Sequence, residues 1–274
     1  MVKKYGEYIT ESSNLDKRLL KACGESGGNK DKVEELLNNG ANIKTRNGFG
    51  NTPLMSASSR GNWFIVELLL DRGADIDAKD NEGWTPLIMA SRNGKTEVVK
   101  LLLEYGADKE AKNNGGWTPL ILASRNGKTE VVKLLLEYGA DKEAKDNEGW
   151  TPLIFASWNG HTKIVKLLLE YGADKETKDN NGRSPMKCAS LNDYPEIVKL
   201  LLEHGANINV YSKNNNLCLN FKCNGVWKEE YTQELIITGQ PKNIWFFDDE
   251  IRILPSLKTK YREVIEMSEM GIFG

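Results

Sequence analysis

A segment of 33 residues recurs along this chain, and no other feature of the sequence restricts the fold as much. Residues 84–112 read WTPLIMASRNGKTEVVKLLLEYGADKEAK, and residues 117–145 repeat this sequence with Leu122 in place of Met89. Three further copies, less similar, begin at the equivalent position, at Asn51, Trp150 and Arg183. A fixed period of this length is typical of solenoid proteins, in which each repeat is one supersecondary unit.

Two dipeptides keep the same register in every copy. Thr-Pro, or Ser-Pro in the last copy, begins at Thr52, Thr85, Thr118, Thr151 and Ser184. Gly-Ala begins at Gly40, Gly73, Gly106, Gly139, Gly172 and Gly205, always 33 residues after the previous one. Thr caps a helix and Pro fits its first turn, while the run Val-Val-Lys-Leu-Leu-Leu supplies the apolar side of a second helix. One such unit cannot bury its apolar side alone, so the pattern predicts stacked helix pairs.

These motifs resemble the ankyrin repeat family over roughly residues 13–211. The resemblance implies an all-α fold, namely an α-solenoid of helix–turn–helix units joined by β-hairpin loops. We expect six units, at about residues 13–46, 47–79, 80–112, 113–145, 146–178 and 179–211. The first and the last are degenerate, which suits capping units because their outer faces meet water. The family motif Thr-Pro-Leu-His ends here in isoleucine (Ile88, Ile121 and Ile154), so the chain lacks the histidine that links neighbouring hairpins in the family.

The segments outside the repeats are expected to be small. Residues 1–12 are predicted to be a short leader, and residues 212–274 a mostly helical C-terminal extension that begins with a polar linker. The extension either covers the last unit as a cap or forms a separate effector or docking module. Trp63 and Phe64 replace polar residues of later units. They either pack against the leader or contact a partner.

The resemblance also implies a binding surface. In the family, the residue before Thr-Pro and the two residues after the short first helix face a concave groove. In this chain those positions hold Trp84, Arg92, Asn93, Trp117, Arg125, Asn126, Trp150, Trp158, Asn159 and Arg183. Trp and Arg contribute much of the binding energy at protein interfaces. Each Trp can instead pack on a neighbouring hairpin, and both interpretations hold if the indole is half-buried. The hairpin tips are expected at Lys109-Glu110 and the equivalent pairs, where alternating charges favour solubility.

Composition argues against several other classes of function. A formal net charge of −2 with 28% charged residues is unlike a general nucleic-acid or membrane-surface binder. No apolar run is long enough for a secretory signal or a membrane-spanning helix. The four cysteines and two histidines lack the spacing of a metal site. We therefore expect reduced thiols, no metal, no cofactor and no catalytic residue.

The sequence thus predicts a non-enzymatic protein–protein interaction module, an adaptor or scaffold. It would bind a protein partner through the concave groove and the hairpin tips, as a monomer in the cytoplasm. The alternative is a viral or bacterial host-directed effector or inhibitor, whose C-terminal extension docks on or modifies a target that the repeats choose.

Overall fold

The computed structural model describes residues 14–211 and 218–221. The predicted leader and most of the predicted C-terminal extension lie outside these residues. The described part contains six pairs of antiparallel helices followed by two short strands. The helices are α1 (14–24), α2 (Lys30–Asn38), α3 (Pro53–Arg60), α4 (Trp63–Asp71), α5 (Pro86–Asn93), α6 (Thr96–Glu104), α7 (Pro119–Arg125), α8 (Thr129–Glu137), α9 (Pro152–Trp158), α10 (Thr162–Glu170), α11 (Pro185–Leu191) and α12 (Pro195–Glu203). The predicted ankyrin-type α-solenoid is confirmed; the unit boundaries stay a prediction.

The start of each odd-numbered helix from α3 to α11 follows from the Thr-Pro or Ser-Pro dipeptide. In α5 the hydroxyl of Thr85 accepts a hydrogen bond from the backbone N–H of Ile88 at 3.3 Å. Pro86 occupies the first turn, where a backbone N–H has no helical partner to lose. The even-numbered helices from α4 to α12 have no side-chain cap, so packing rather than capping holds them.

Stacking of the helix pairs builds one continuous core. The odd-numbered helices form an inner layer and the even-numbered helices an outer layer, and each pair contacts the next. In the third unit Leu87 of the inner helix and Leu102 of the outer helix are fully buried. Burial of a leucine side chain stabilises a fold by about 1.5–3 kcal/mol. A leucine equivalent to Leu102 recurs in every unit, whereas the position of Leu87 holds Met186 in the last unit. The leucine runs are therefore core.

Neighbouring hairpin loops are linked by backbone and asparagine hydrogen bonds. The backbone N–H of Asn147 donates to the carbonyl oxygen of Gly115 at 3.2 Å, and its side-chain amide donates to the carbonyl oxygen of Asn114 at 2.9 Å. Asn81, Asn114 and Asn180 make the same pair of bonds to the preceding loop. These asparagine bonds connect successive loops. In the family motif a histidine, replaced here by isoleucine, links neighbouring hairpins.

The hairpin tips lie at a different place from the one predicted. Lys109 and Glu110 belong to a turn that lies between the end of α6 at Glu104 and the hairpin, and the tip of the hairpin is Asn114-Gly115. The carboxylate of Glu110 accepts a hydrogen bond from the backbone N–H of Asp141 in the next unit at 2.9 Å. The glutamates of the Lys-Glu pairs thus join successive units, since Glu143 and Glu176 make the equivalent bonds to Asp174 and Asn207.

After the last helix the chain forms two short strands that the repeat pattern does not predict. Strand β1 (Ile208–Tyr211) pairs antiparallel with β2 (Cys218–Phe221), with Ile208 opposite Phe221. The alternation of apolar and polar residues in Ile-Asn-Val is typical of a strand. The helical array therefore ends in a small antiparallel element beside α11.

Two of the cysteines are buried, unpaired core residues. Cys23 and Cys188 are free thiols, and burial raises the pKa of each to about 12. Both are therefore neutral near pH 7, whereas a metal ligand needs the thiolate. Within residues 14–211 and 218–221, no three His, Cys, Asp or Glu side chains are placed to hold a metal ion. None of the described helices is long and apolar enough to cross a membrane.

Candidate functional site

The inner helices and the hairpin loops form the two walls of a groove that contains the predicted binding residues. We call the six stacked side chains of this groove the Trp–Arg ladder, namely Trp84, Trp117, Trp150, Arg92, Arg125 and Arg183. The guanidinium of Arg92 lies 5.1 Å from the centroid of the Trp84 ring, and that of Arg125 lies 4.8 Å from the centroid of Trp117. Stacking of a guanidinium on an indole is attractive, so each arginine holds its tryptophan in place.

The first two indoles are half-buried and hydrogen-bonded. Trp84 and Trp117 pack edge to face, with ring centroids 6.4 Å apart. The indole N–H of Trp84 donates to Glu82 at 3.2 Å, and that of Trp117 donates to Asp146 of the next loop at 3.0 Å. Each ring packs on its neighbours and still exposes part of its surface. Binding of a partner by these rings stays a prediction.

The third indole differs from the first two. Trp150 is only 7% exposed and packs against Phe155 at 4.7 Å and Trp158 at 5.5 Å between ring centroids. Arg183 stacks on Trp150 at 4.7 Å and forms an ion pair with Asp179 at 2.6 Å. The buried indole N–H of Trp150 finds no acceptor among the described residues.

This difference has a local cause. Asp179 occupies the position of Asp146, the acceptor for Trp117, but its second oxygen is taken by Arg183. Arg183 stands where earlier units carry Trp. The C-terminal end of the ladder is therefore closed core, and its N-terminal and middle parts are the accessible surface.

The three predicted asparagines lie on the exposed ends of the inner helices. Asn93 donates to the hydroxyl of Ser59 in the previous unit at 2.9 Å. Asn126 and Asn159 donate to carbonyl oxygens of their own helices, at 2.7 and 2.9 Å. In these bonds each side-chain amide acts as the donor, so its own carbonyl oxygen can accept a hydrogen bond from a ligand.

At its N-terminal end the groove widens into a cavity of about 970 Å³ between the first three units. Trp84, Arg92 and Asn93 lie on its wall, as the sequence predicts for groove residues. Sequence reasoning missed the other main contributors, which are Phe49, Met55, Met89, Arg60 and Lys95. One signal was visible in the sequence, since Met89 is the single difference between residues 84–112 and residues 117–145.

The cavity combines apolar and charged surface. Met55 is fully buried at its base, and Phe49 at its rim is 76% exposed. A large exposed aromatic side chain beside a preformed concavity is typical of a surface that binds another molecule. Cavity and ladder are adjoining parts of one surface, since Trp84 and Arg92 belong to both.

Comparison with known families agrees with this architecture. A family model of ankyrin repeats in three copies matches residues 19–113, 110–179 and 144–212, well over half of the 274 residues. No curated protein sequence matches the chain significantly.

Proposed function

This chain belongs to the ankyrin-repeat family, and we propose that it is a non-enzymatic adaptor or scaffold that binds a protein partner along the groove. Ankyrin repeats are generally protein–protein interaction modules, and the family is typically non-enzymatic. The exposed part of the Trp–Arg ladder is the observation that carries the proposal. Interfaces are enriched in Trp and Arg as the residues that contribute most binding energy.

The Arg125 side chain of the groove is held between its neighbours. Arg125 lies between two aromatic rings, 4.8 Å from the centroid of Trp117 and 5.6 Å from that of Phe155. A side chain held in this way loses little conformational freedom on binding, so more of its contact energy becomes affinity. We further propose that the protein acts as a monomer in the cytoplasm, where buried reduced thiols such as Cys23 persist.

The effector alternative depends mainly on residues 212–274. Apart from 218–221 these lie outside the described residues, and no feature of the described groove favours this alternative.

We expect partner capture from a cell lysate to depend on the groove arginines. In the full chain, Arg92→Ala with Arg125→Ala removes two exposed cations that stack on Trp84 and Trp117. This double variant should weaken partner capture about tenfold. The matched control is Lys100→Ala with Lys133→Ala, which removes the same charge from the outer helices. Those lysines pair with Glu104 and Glu137 at 3.8 and 3.9 Å on the opposite face.

The readout is the amount of each captured protein, with the melting temperature measured in parallel. Loss of capture in the arginine variant alone, with both variants folded, supports the groove. Equal capture by both variants, or loss in the lysine variant alone, would show that binding occurs elsewhere.

A further inference from the structure

We propose that the cavity between the first three units binds an acidic segment of the partner that carries a bulky apolar side chain. This inference rests on the proposed function and specifies the chemistry of the ligand. The cavity has a basic wall, formed by Arg60 and Arg92 near the ends of inner helices α3 and α5 and by Lys95 at the start of α6, and an apolar base beside it.

The charges of the basic wall are not compensated within the described structure. Among residues 14–211 and 218–221, no carboxylate lies within ion-pair distance of Arg60, Arg92 or Lys95. Outer helices α6, α8, α10 and α12 show the opposite arrangement, since a lysine in each of these four pairs with a glutamate one turn later. These pairs are Lys100–Glu104, Lys133–Glu137, Lys166–Glu170 and Lys199–Glu203.

The distribution of acidic residues between the two layers agrees with this contrast. Inner helices α3, α5, α7, α9 and α11 contain no Asp or Glu, and inner helix α1 contains one, Asp16. Outer helices α4, α6, α8, α10 and α12 each contain at least one. The positive wall therefore stands out on a chain whose net charge is −2. Complementary charge steers a partner and fixes its orientation.

The opposite wall carries two carboxylates that already have structural roles. Asp80 accepts hydrogen bonds from the backbone N–H groups of Glu82 and Trp84 at 2.9 and 2.8 Å. Glu82 accepts from the Trp84 indole at 3.2 Å. A ligand between the walls thus meets positive charge on the helix side only, which favours a segment whose carboxylates face the inner helices.

The apolar part of the cavity indicates that the ligand carries a bulky apolar side chain as well as negative charge. Met55 and Met89 line the cavity beside Trp84, with Phe49 at the rim. Methionine and aromatic side chains adapt to a bulky apolar group of irregular shape. A peptide with one aromatic or large aliphatic residue among acidic residues satisfies both features.

A single-stranded nucleic acid would also be attracted to arginine and tryptophan, but it fits this cavity less well. Every nucleotide carries a phosphate, and Asp80 and Glu82 on the opposite wall would repel a continuous line of charge. The face of Trp84 is covered by Arg92 at 5.1 Å, so a base could not stack there without displacing the guanidinium.

Selection from a random library of displayed 12-residue peptides tests this inference on the full chain. We expect the selected peptides to be rich in Asp and Glu around at least one aromatic or large aliphatic residue. Synthetic copies should bind the Arg60→Ala, Arg92→Ala double variant about tenfold more weakly than the unmodified chain, since exposed ion pairs each contribute little. The Lys100→Ala, Lys133→Ala variant should bind them unchanged, and binding should weaken as salt is raised.

Three results would overturn the inference. These are selected peptides that are neutral or basic, a library without any binder that depends on the two arginines, and tighter binding of a 12-nucleotide oligothymidylate than of the best acidic peptide. If one of them occurs while lysate capture still depends on Arg92 and Arg125, only the ligand chemistry is wrong. If lysate capture is also independent of these arginines, both the ligand chemistry and the proposed function are wrong.

Discussion

Replacement of Gly116 by alanine should lower the free energy of unfolding by about 3 kcal/mol, because two separate costs add. Gly116 has φ of +77°, a conformation in which an L side chain is strained. A Cβ atom there would lie 2.8 Å from the backbone nitrogen of Asn147 and 2.5 Å from its side-chain oxygen. The backbone of the next loop cannot move away without loss of the hydrogen bond from Asn147 to Gly115, at 3.2 Å.

Gly139→Ala in the same unit is the matched control. Gly139 has φ of +74°, and a Cβ atom added there would meet nothing within 4 Å. Gly139→Ala should therefore lower the free energy of unfolding by about 1 kcal/mol, the cost of the strained backbone conformation alone. Urea unfolding followed by circular dichroism measures both variants. Equal costs for the two would mean that successive loops are not in the close contact described above.

Removal of the Asp179 carboxylate should also cost about 3 kcal/mol, because a buried ion pair is broken and its partner is left behind. The Asp179 side chain is 0% exposed and that of Arg183 is 24% exposed. The carboxylate accepts hydrogen bonds from the backbone N–H groups of Asn181 and Arg183 and from the Arg183 guanidinium. In Asp179→Ala these donors, one of them charged, lose their acceptor.

Asp146→Ala is the comparison for this variant. Asp146 also accepts from two backbone N–H groups, those of Glu148 and Trp150, but its third donor is the neutral indole of Trp117. Because no charged side chain is left without its partner, Asp146→Ala should lower the free energy of unfolding by about 1–2 kcal/mol. Thermal unfolding followed by tryptophan fluorescence distinguishes Asp179→Ala from Asp146→Ala. A greater loss in Asp146→Ala would show that the Arg183 ion pair adds nothing to stability.

The sequence was sufficient to predict the features that repeat. The Thr-Pro dipeptide, the leucine run and the Gly-Ala pair each act within one unit or between identical neighbours, so their physical role is the same in every copy. Helix starts, core leucines and the solenoid follow from these motifs directly. The repeat spacing also placed Trp84, Trp117 and Trp150 in one row.

Features that depend on a difference between neighbours could not be predicted in the same way. Trp84 and Trp150 occupy the same register, yet Trp150 is buried because Phe155 and Trp158 add aromatic surface around it. Arg183 was predicted as a groove residue from its position, and the structure shows it bound to buried Asp179. Such contacts involve side chains of two units at once, which a one-unit pattern does not describe.

The cavity was missed for a related reason. Phe49 lies in the loop before the first Thr-Pro, and Arg60 is shifted by one position from the arginine column of later units. Neither residue belongs to a repeated column, so the pattern assigns them no role. The concavity itself forms only where unit two, which holds both residues, stacks between units one and three.

Photo-crosslinking tests the central claim, that a protein partner lies in the groove, most directly. Phe49, an exposed aromatic residue at the cavity rim, is replaced by p-benzoylphenylalanine in the full chain. The control places the same amino acid at Tyr138, a comparably aromatic exposed residue at the end of outer helix α8. Irradiation in lysate should give a covalent adduct with the captured protein from the Phe49 position and none from Tyr138. An adduct from Tyr138 alone would contradict the account and place the partner on the outer face.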